Sequence, residues 1–319
     1  MDKNDKVFIA GHKGLAGDSL VRTFSAAGYD NLLLRTRPEL NLEDQAAVDR
    51  FFAAERPDYV VLAAAKVGGI KHNSSFPADF IRANLYITAN VIESSRRHGV
   101  KRLIFFGSSC MYPKVCDQPM REEMLMTGPM EPTSLPYSTA KLAGTVMCQA
   151  YNRQHGTQFL PIIPATLYGP GDNFNPDQSH VLPALLKRAH EARIAGTPAL
   201  KIWGSGKPRR EFLYADDLAG AALFLLEKDG YTDLTNIGAG ADVSIRELAE
   251  AVCEVTGYRG RLEFDVSQPD GAMRKLLDTS KMDSLGWKAK TPLREGLERT
   301  YAWFLKEHSS GGTGARKEA

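Results

Sequence analysis

A chain of 319 residues, 43% hydrophobic and 24% charged, has the composition of an ordinary globular protein and the length to bury a large core. Its formal net charge of +2 gives no footing for nucleic-acid or membrane binding, so an anionic ligand must be met by local clusters of Arg and Lys. The four cysteines, Cys110, Cys116, Cys148 and Cys253, show no metal-ligand spacing and suit a reducing, cytoplasmic compartment; no metal is expected.

The chain enters a strand within its first residues, leaving no room for a signal peptide, and no apolar run is long enough to span a bilayer. Val7–Ala10 reads as a strand, followed by a glycine-rich turn and an amphipathic helix to about Ala27. Residues 31–34 read as a second strand, 44–55 as a helix and 59–65 as a continuous buried strand. A long helix over 79–99 is closed by a glycine. Arg102–Phe106 is a strand, 137–155 a helix and 159–166 a strand. Apolar strands alternating with helices predict an α/β fold, a Rossmann-type doubly wound parallel sheet covered on both faces. After about Pro170 the rhythm loosens. A loop over 169–177 precedes a helix at 181–195, a short strand at Ala199–Trp203 and a strand-helix unit at 213–226. The predicted organisation is a dinucleotide-binding domain over 1–170, rejoined by the chain around 213–240, and a smaller α/β substrate domain over 171–319. Its polar, Gly-rich end, 310–319, is expected to be disordered.

The first turn, Gly11-His12-Lys13-Gly14-Leu15-Ala16-Gly17, is G-x-x-G-x-x-G between the first strand and first helix. Glycines there permit a tight turn and let the backbone approach a pyrophosphate at the positive helix end. The context makes the motif a dinucleotide site rather than a chance glycine turn. The second strand ends not in the carboxylate usual for NAD but in Arg35-Thr36-Arg37. With Lys13, these cations favour the 2'-phosphate of NADP(H). At least one of Arg35 and Arg37 reads as a merely solvated charge. Strand alternation points the two the same way, so the residues alone do not separate them.

The strand Arg102–Phe106 runs into Gly107-Ser108-Ser109-Cys110 at the carboxyl edge of the sheet, where doubly wound folds bind ligands. Tyr137 and Lys141, four apart, share one helical face. A nearby ammonium is expected to lower the phenol pKa and fit it for proton transfer. Ser108 would align a carbonyl or alcohol oxygen, and Tyr137 would protonate that oxygen as hydride arrives. Glycine turn, strand-end Ser and YxxxK together are specific, where each alone is not. Two-residue periodicity puts Cys110 on the side of Ser108. A thiol there is a candidate proton carrier, although a free cysteine is more often a packing residue. His180 precedes a helix, and the sequence by itself does not place it in the site. The segment Trp203-Gly204-Ser205-Gly206-Lys207-Pro208-Arg209-Arg210, with Lys187 and Arg188, offers a ring to stack and cations for phosphates. A solvated loop fits those residues equally well.

Several motifs extend this reading: Gly11-His12-Lys13-Gly14, Lys66-Val67-Gly68-Gly69-Ile70, Gly107-Ser108-Ser109-Cys110-Met111-Tyr112-Pro113, Tyr137-x-x-x-Lys141, Leu167-Tyr168-Gly169-Pro170, Asp172-Asn173-Phe174 and Ser179-His180-Val181. From Val7 to about Phe304 the chain resembles the GDP-L-fucose synthase family of extended short-chain dehydrogenases. The resemblance implies epimerisation at C3 and C5 of a GDP-4-keto-6-deoxy sugar, then reduction at C4 with NADPH. It assigns Cys110 as base and His180 as acid, with Ser108 and Tyr137 on the C4 oxygen. It implies cofactor contacts from the Gly11–Gly17 turn, Arg37, Lys141 and His180. It also implies substrate contacts from Arg188, Trp203, Arg210, Asp270 and Lys275, and a homodimer formed through the helices over 79–99 and 137–155. Two departures stand out: Lys13 replaces the family's Arg, and Thr166 its Asn. A GDP-L-colitose synthase is the neighbouring alternative, needing one epimerisation. A nucleotide-sugar 4-epimerase with tightly held NAD fits the Arg35-Thr36-Arg37 turn and Cys110 poorly. A non-enzymatic NADP sensor would not need Ser108, Tyr137 and Lys141 together.

Overall fold

The computed structural model describes residues 1–175, 179–268 and 270–309; the expectation for 310–319 lies outside them. Strand β1 (Val7–Ala10) is buried at every position, as in a sheet covered on both faces. Val7 and Ile9 enter one core and Phe8 and Ala10 another, the alternation that a pleated strand imposes. Helix α1 (Leu15–Ala26) buries Gly17, Leu20 and Phe24. The short β2 (Leu32–Leu33) leads to α2 (Gln45–Glu55), whose N-cap Asp44 accepts a hydrogen bond from the Ala47 N–H. Strand β3 (Tyr59–Leu62) and helices α3 (Ile70–Ser75) and α4 (Pro77–Arg97) follow, α4 with Pro in its first turn, where no N–H is lost. Then come β4 (Arg102–Phe106), α5 (Leu135–His155), β5 (Phe159–Pro164) and β6 (Thr166–Tyr168).

The later part holds α6 (Val181–Ile194), β7 (Ala199–Trp203), β8 (Arg209–Tyr214), α7 (Ala215–Leu226), β9 (Thr235–Ile237) and β10 (Asp242–Ser244). It ends with α8 (Ile245–Thr256), β11 (Arg261–Asp265), β12 (Arg274–Lys275), α9 (Ser280–Leu285) and α10 (Leu293–Ser309). Six strands form a parallel sheet in the order β2-β1-β3-β4-β5-β9. The direction of winding reverses between β1 and β3, the position where such sheets open a ligand crevice. The return near 213–240 is visible as α7 and β9, with Ile162 paired to Thr235. Beside this sheet lie a mixed sheet of β6, β8, β10 and β12 and the parallel pair β7 and β11. A separate apolar cluster gathers Leu185, Leu248 and Phe304 from α6, α8 and α10.

Two boundaries differ from the sequence reading. The strand expected over 59–65 ends at Leu62, because the Ala63–Lys66 stretch leaves the sheet to floor the crevice. The strand expected over 159–166 splits at Ala165: β5 stays in the large sheet while β6 crosses to β8. The run continues past Ala165 into Leu167 and Tyr168 without a turn signal, and apolarity alone does not say which sheet a strand joins.

Candidate active site

Gly11 adopts φ +86°, and a Cβ there would come 2.7 Å from the Ala64 Cα. Gly17 has no room for a Cβ against the Gly11 carbonyl. These glycines let α1 start hard against the β1–β3 floor. Gly14, the N-cap, carries no side chain to cap the helix, so the first N–H groups of α1 are left for an anion. Backbone donors at a positive helix end suit a dinucleotide pyrophosphate.

Arg35 and Arg37 do not share a face as expected. Arg35 binds Glu55 at 2.6 Å and lies over the Phe51 ring. Arg37 is exposed and pairs with Glu43 at 3.0 Å. Strand β2 ends at Leu33, so strand alternation no longer governs residues beyond it. The exposed Arg37 and Lys13 are the cations placed toward solvent at this end of the crevice.

At the carboxyl end of β4, Ser108 caps a 3₁₀ turn, Ser109–Met111, its Oγ accepting from the Cys110 N–H at 3.2 Å. Cys110 therefore does not extend along a strand from Ser108, as two-residue periodicity implied. The turn nevertheless brings it to Tyr137. That phenol lies close enough to Ser108 and Cys110 for both to bear on its pKa. Lys141 lies deep below, its ammonium donating to the Phe106 carbonyl at 2.7 Å and standing 6.0 Å from the Tyr137 ring centre. The expected lowering of the phenol pKa by Lys141 is not what the structure gives. Burial pushes Tyr137 above its ordinary range and Lys141 down to about 7. Each ion loses hydration that its neighbour does not replace. His180 is the N-cap residue of α6, but its side chain does not cap the helix. The residue is exposed, yet enough protein surrounds its ring for burial to lower its pKa.

Sequence reasoning missed what holds these groups. Asn84, a buried polar residue on α4, accepts from the Lys66 N–H at 3.0 Å and donates to the Lys66 and Phe80 carbonyls. It fixes the start of the Val67-Gly68-Gly69 loop. Phe80, wholly buried, meets the Tyr137 ring edge-on at 6.5 Å. The only signal in the sequence was a polar residue on the apolar face of α4.

The basic cluster separates into two groups. Arg209 is committed to Asp242 at 2.8 Å, whereas Arg210 lies beside Asp270, with Lys275 in register on the adjacent β12. Asp270 accepts from the Ser205 N–H and hydroxyl at 2.8 and 2.6 Å. Its carboxylate is thus spent on holding the Gly204–Gly206 loop, where Gly204 has φ +78° and no space for a Cβ against Asp270. Trp203 leaves β7 with 74% of its surface exposed. Arg188 on α6 donates to the Lys201 carbonyl two residues before it. Ring and cations therefore line one edge, the arrangement a nucleoside diphosphate requires.

Residues 7–238 match the NAD dependent epimerase/dehydratase family. The chain is 53% identical over 305 residues to GDP-L-fucose synthase 1 of Arabidopsis thaliana, covering 96% of this chain and 94% of that protein. It belongs to the GDP-L-fucose synthases of that family. The Escherichia coli GDP-L-fucose synthase is 49% identical over 310 residues, covering 94% and 97%. A solved GDP-L-fucose synthetase from Naegleria fowleri, bound to NADP, superposes with a TM-score of 0.91 at 28% identity, covering 99% and 96%.

Proposed function

We propose that this chain, as a GDP-L-fucose synthase, converts GDP-4-dehydro-6-deoxy-D-mannose to GDP-L-fucose, epimerising C3 and C5 before reducing C4. The observation that carries the reading is the meeting of Ser108, Cys110 and Tyr137 above the buried Lys141. Protons at C3 and C5 flank the C4 ketone, so each can leave as an enolate forms. Cys110 removes a proton from one face and His180 returns one to the other. Ser108 and Tyr137 hydrogen-bond the C4 oxygen and hold its developing negative charge. A phenol raised above its ordinary range stays protonated at neutral pH, which fits Tyr137 as donor to that oxygen. Bound NADPH supplies the hydride. The uncapped start of α1, with Lys13 and Arg37, would hold the cofactor, and Arg188, Trp203, Arg210 and Lys275 the GDP moiety.

The expected division also belongs to this reading: a dinucleotide domain over 1–170 and a GDP-sugar domain over 171–319. So does a cytoplasmic location; no helix among the described residues is long and apolar enough to cross a membrane. A homodimer through α4 and α5 is supported by exposed Tyr86 and Val146. A groove of about 480 Å³ lined by Leu142, Val146 and Met147 lies on the same face. Light scattering that gives the mass of one chain would remove the dimer.

The decisive assay supplies NADPH and the keto sugar in deuterated water. Loss of NADPH absorbance, with deuterium at both C3 and C5 of the product, is the expected result. Label at C5 alone, or turnover only of a 3,6-dideoxy keto sugar, would assign a colitose-type activity instead. No NADPH loss with either sugar rejects the reading.

A further inference from the structure

Cys110 sits in a turn whose next two residues are driven inward: Met111 is wholly buried and Tyr112 only 3% exposed. Met111 anchors the turn on one side, its sulfur 3.6 Å from the Thr145 hydroxyl on α5. Tyr112 anchors it on the other, its hydroxyl donating to Asn236 Oδ1 on β9 at 2.7 Å. That direction is forced, because Asn236 Nδ2 already donates to the Met120 carbonyl at 2.9 Å, leaving Oδ1 as acceptor. The Asn236 N–H is also committed, to Glu122 Oε1 at 2.8 Å. Burial holds the Tyr112 phenol far above its ordinary range, so it remains a donor throughout the working pH range. The line then continues across the molecule. The Met120 N–H donates to the Leu276 carbonyl at 2.8 Å, and its carbonyl accepts from the Asp278 N–H at 2.9 Å. Leu276 follows Lys275, the β12 residue paired with Arg210.

We propose that Tyr112 and Asn236 are positioning residues for the epimerisation step. They fix the height of the Cys110 thiol over the sugar and tie it to the strand that carries Lys275 on the GDP side. The proposal rests on the reading of Cys110 as base. It is selective, because the reduction groups are held by other means: Ser108 by the end of β4, and Tyr137 and Lys141 by α5 and the Phe106 carbonyl. Ser108 also caps the Cys110 turn, but its backbone is carried by β4, so loosening the Tyr112 anchor displaces Cys110 more than it displaces the reduction groups. The reduced product should then shift toward sugar that was never epimerised.

The test uses the full-length chain with the keto sugar in deuterated water, comparing Tyr112→Phe, Cys110→Ser and the double variant Tyr112→Phe/Asn236→Leu. The double variant replaces both partners by apolar groups, which leaves no buried acceptor unpaired. Tyr112→Phe is expected to slow label entry at C3 and C5 by about 10- to 100-fold, the range a misplaced reacting group produces. NADPH affinity should stay within about twofold, and the share of C4-reduced, unepimerised sugar should rise. The double variant should behave likewise even if it melts at the parent temperature. Label entry at the parent rate in Tyr112→Phe, with Cys110→Ser slow, overturns the proposal and leaves the base reading standing. Parent-rate label entry in Cys110→Ser overturns both. A slow Tyr112→Phe combined with a folded, fast double variant shows a purely structural bond and also overturns it.

Discussion

A 2'-phosphate carries nearly two charges, and the side chains placed to meet it decide between the two nicotinamide cofactors. Arg35 is held by Glu55 and by the Phe51 face, so its guanidinium is already engaged. Arg37 is exposed and shares Glu43 with Arg82, so Glu43 keeps a cationic partner when Arg37 turns away. Exchanging Glu43 for a phosphate is therefore easy for Arg37. Replacing Arg37→Ala should raise the KM for NADPH by about tenfold, the worth of one charge-assisted hydrogen bond, and leave the KM for NADH nearly unchanged. Initial-rate measurements with both cofactors check this, and equal effects on the two would move the phosphate contact to Arg35. At this scale the sequence showed which residue types would meet, but not the environment that surrounds them. The glycine turn, Ser108, Tyr137 and Lys141 were readable from spacing alone. The preference for Arg37 came only from family resemblance, since β2 ends before strand periodicity can reach it. The opposed pKa shifts of Tyr137 and Lys141 depend on burial from many directions, which no local pattern encodes.

Helix α5, which carries Tyr137 and Lys141, lies against β4 and α4 at one narrow point. A Cβ on Gly144 would strike the Phe105 ring and come 2.7 Å from the Thr88 methyl, and both neighbours are buried. Gly144→Ala should therefore push α5 away from the sheet, with a stability loss of about 1–3 kcal/mol from overpacking. Tyr137 and Lys141 lie on the same helix, so turnover should fall more than NADPH affinity. Gly220 on α7 is the control, because a Cβ there would meet nothing within 4 Å. Gly220→Ala should stabilise by about 0.5–1 kcal/mol through helix propensity and chain entropy. Thermal melts of the two variants should move in opposite directions; parallel shifts would mean that the α4–α5 contact is not tight. Elements themselves were largely legible, because strands such as β1 and β4 are apolar on both faces and α2 has its Asp44 cap. What failed was assignment to a sheet. Ala165 divides one apolar run between two sheets, and the Cys110 turn is 3₁₀ because Ser108 caps it, a side-chain bond that periodicity does not show.

Over the whole molecule, buried ionisable groups tilt stability with pH, and Lys141 and Glu211 do so in opposite directions. Lys141 has its pKa lowered from 10.5 to about 7 by burial. Between those values the unfolded chain binds a proton that the folded chain has released, so stability rises with pH from about 7 to about 10.5. Glu211 on β8 accepts the Gly240 and Leu277 N–H groups at 2.9 Å each, joining the loop after β9 to the segment after β12. Burial outweighs those bonds and raises its pKa from 4.5 to about 7. Here the folded chain holds the extra proton, so stability falls as pH rises from about 4.5 to about 7. The contributions of these two groups therefore run in opposite directions on either side of neutrality. Carboxylates with lowered pKa values, such as Glu93 and Asp242, act differently. Their contribution is present above the ordinary carboxylate range and is lost only as pH falls below it. Urea unfolding across pH should show each limb disappear with its own variant. Lys141→Met should gain about 1–3 kcal/mol over the parent at pH 7, and that gain should shrink as pH rises and vanish above about pH 10.5. Glu211→Gln should flatten the limb between about pH 5 and 7, although its amide cannot accept from every N–H that the carboxylate serves. A parent–variant difference that does not change with pH would mean that water reaches these groups and burial does not govern their charge.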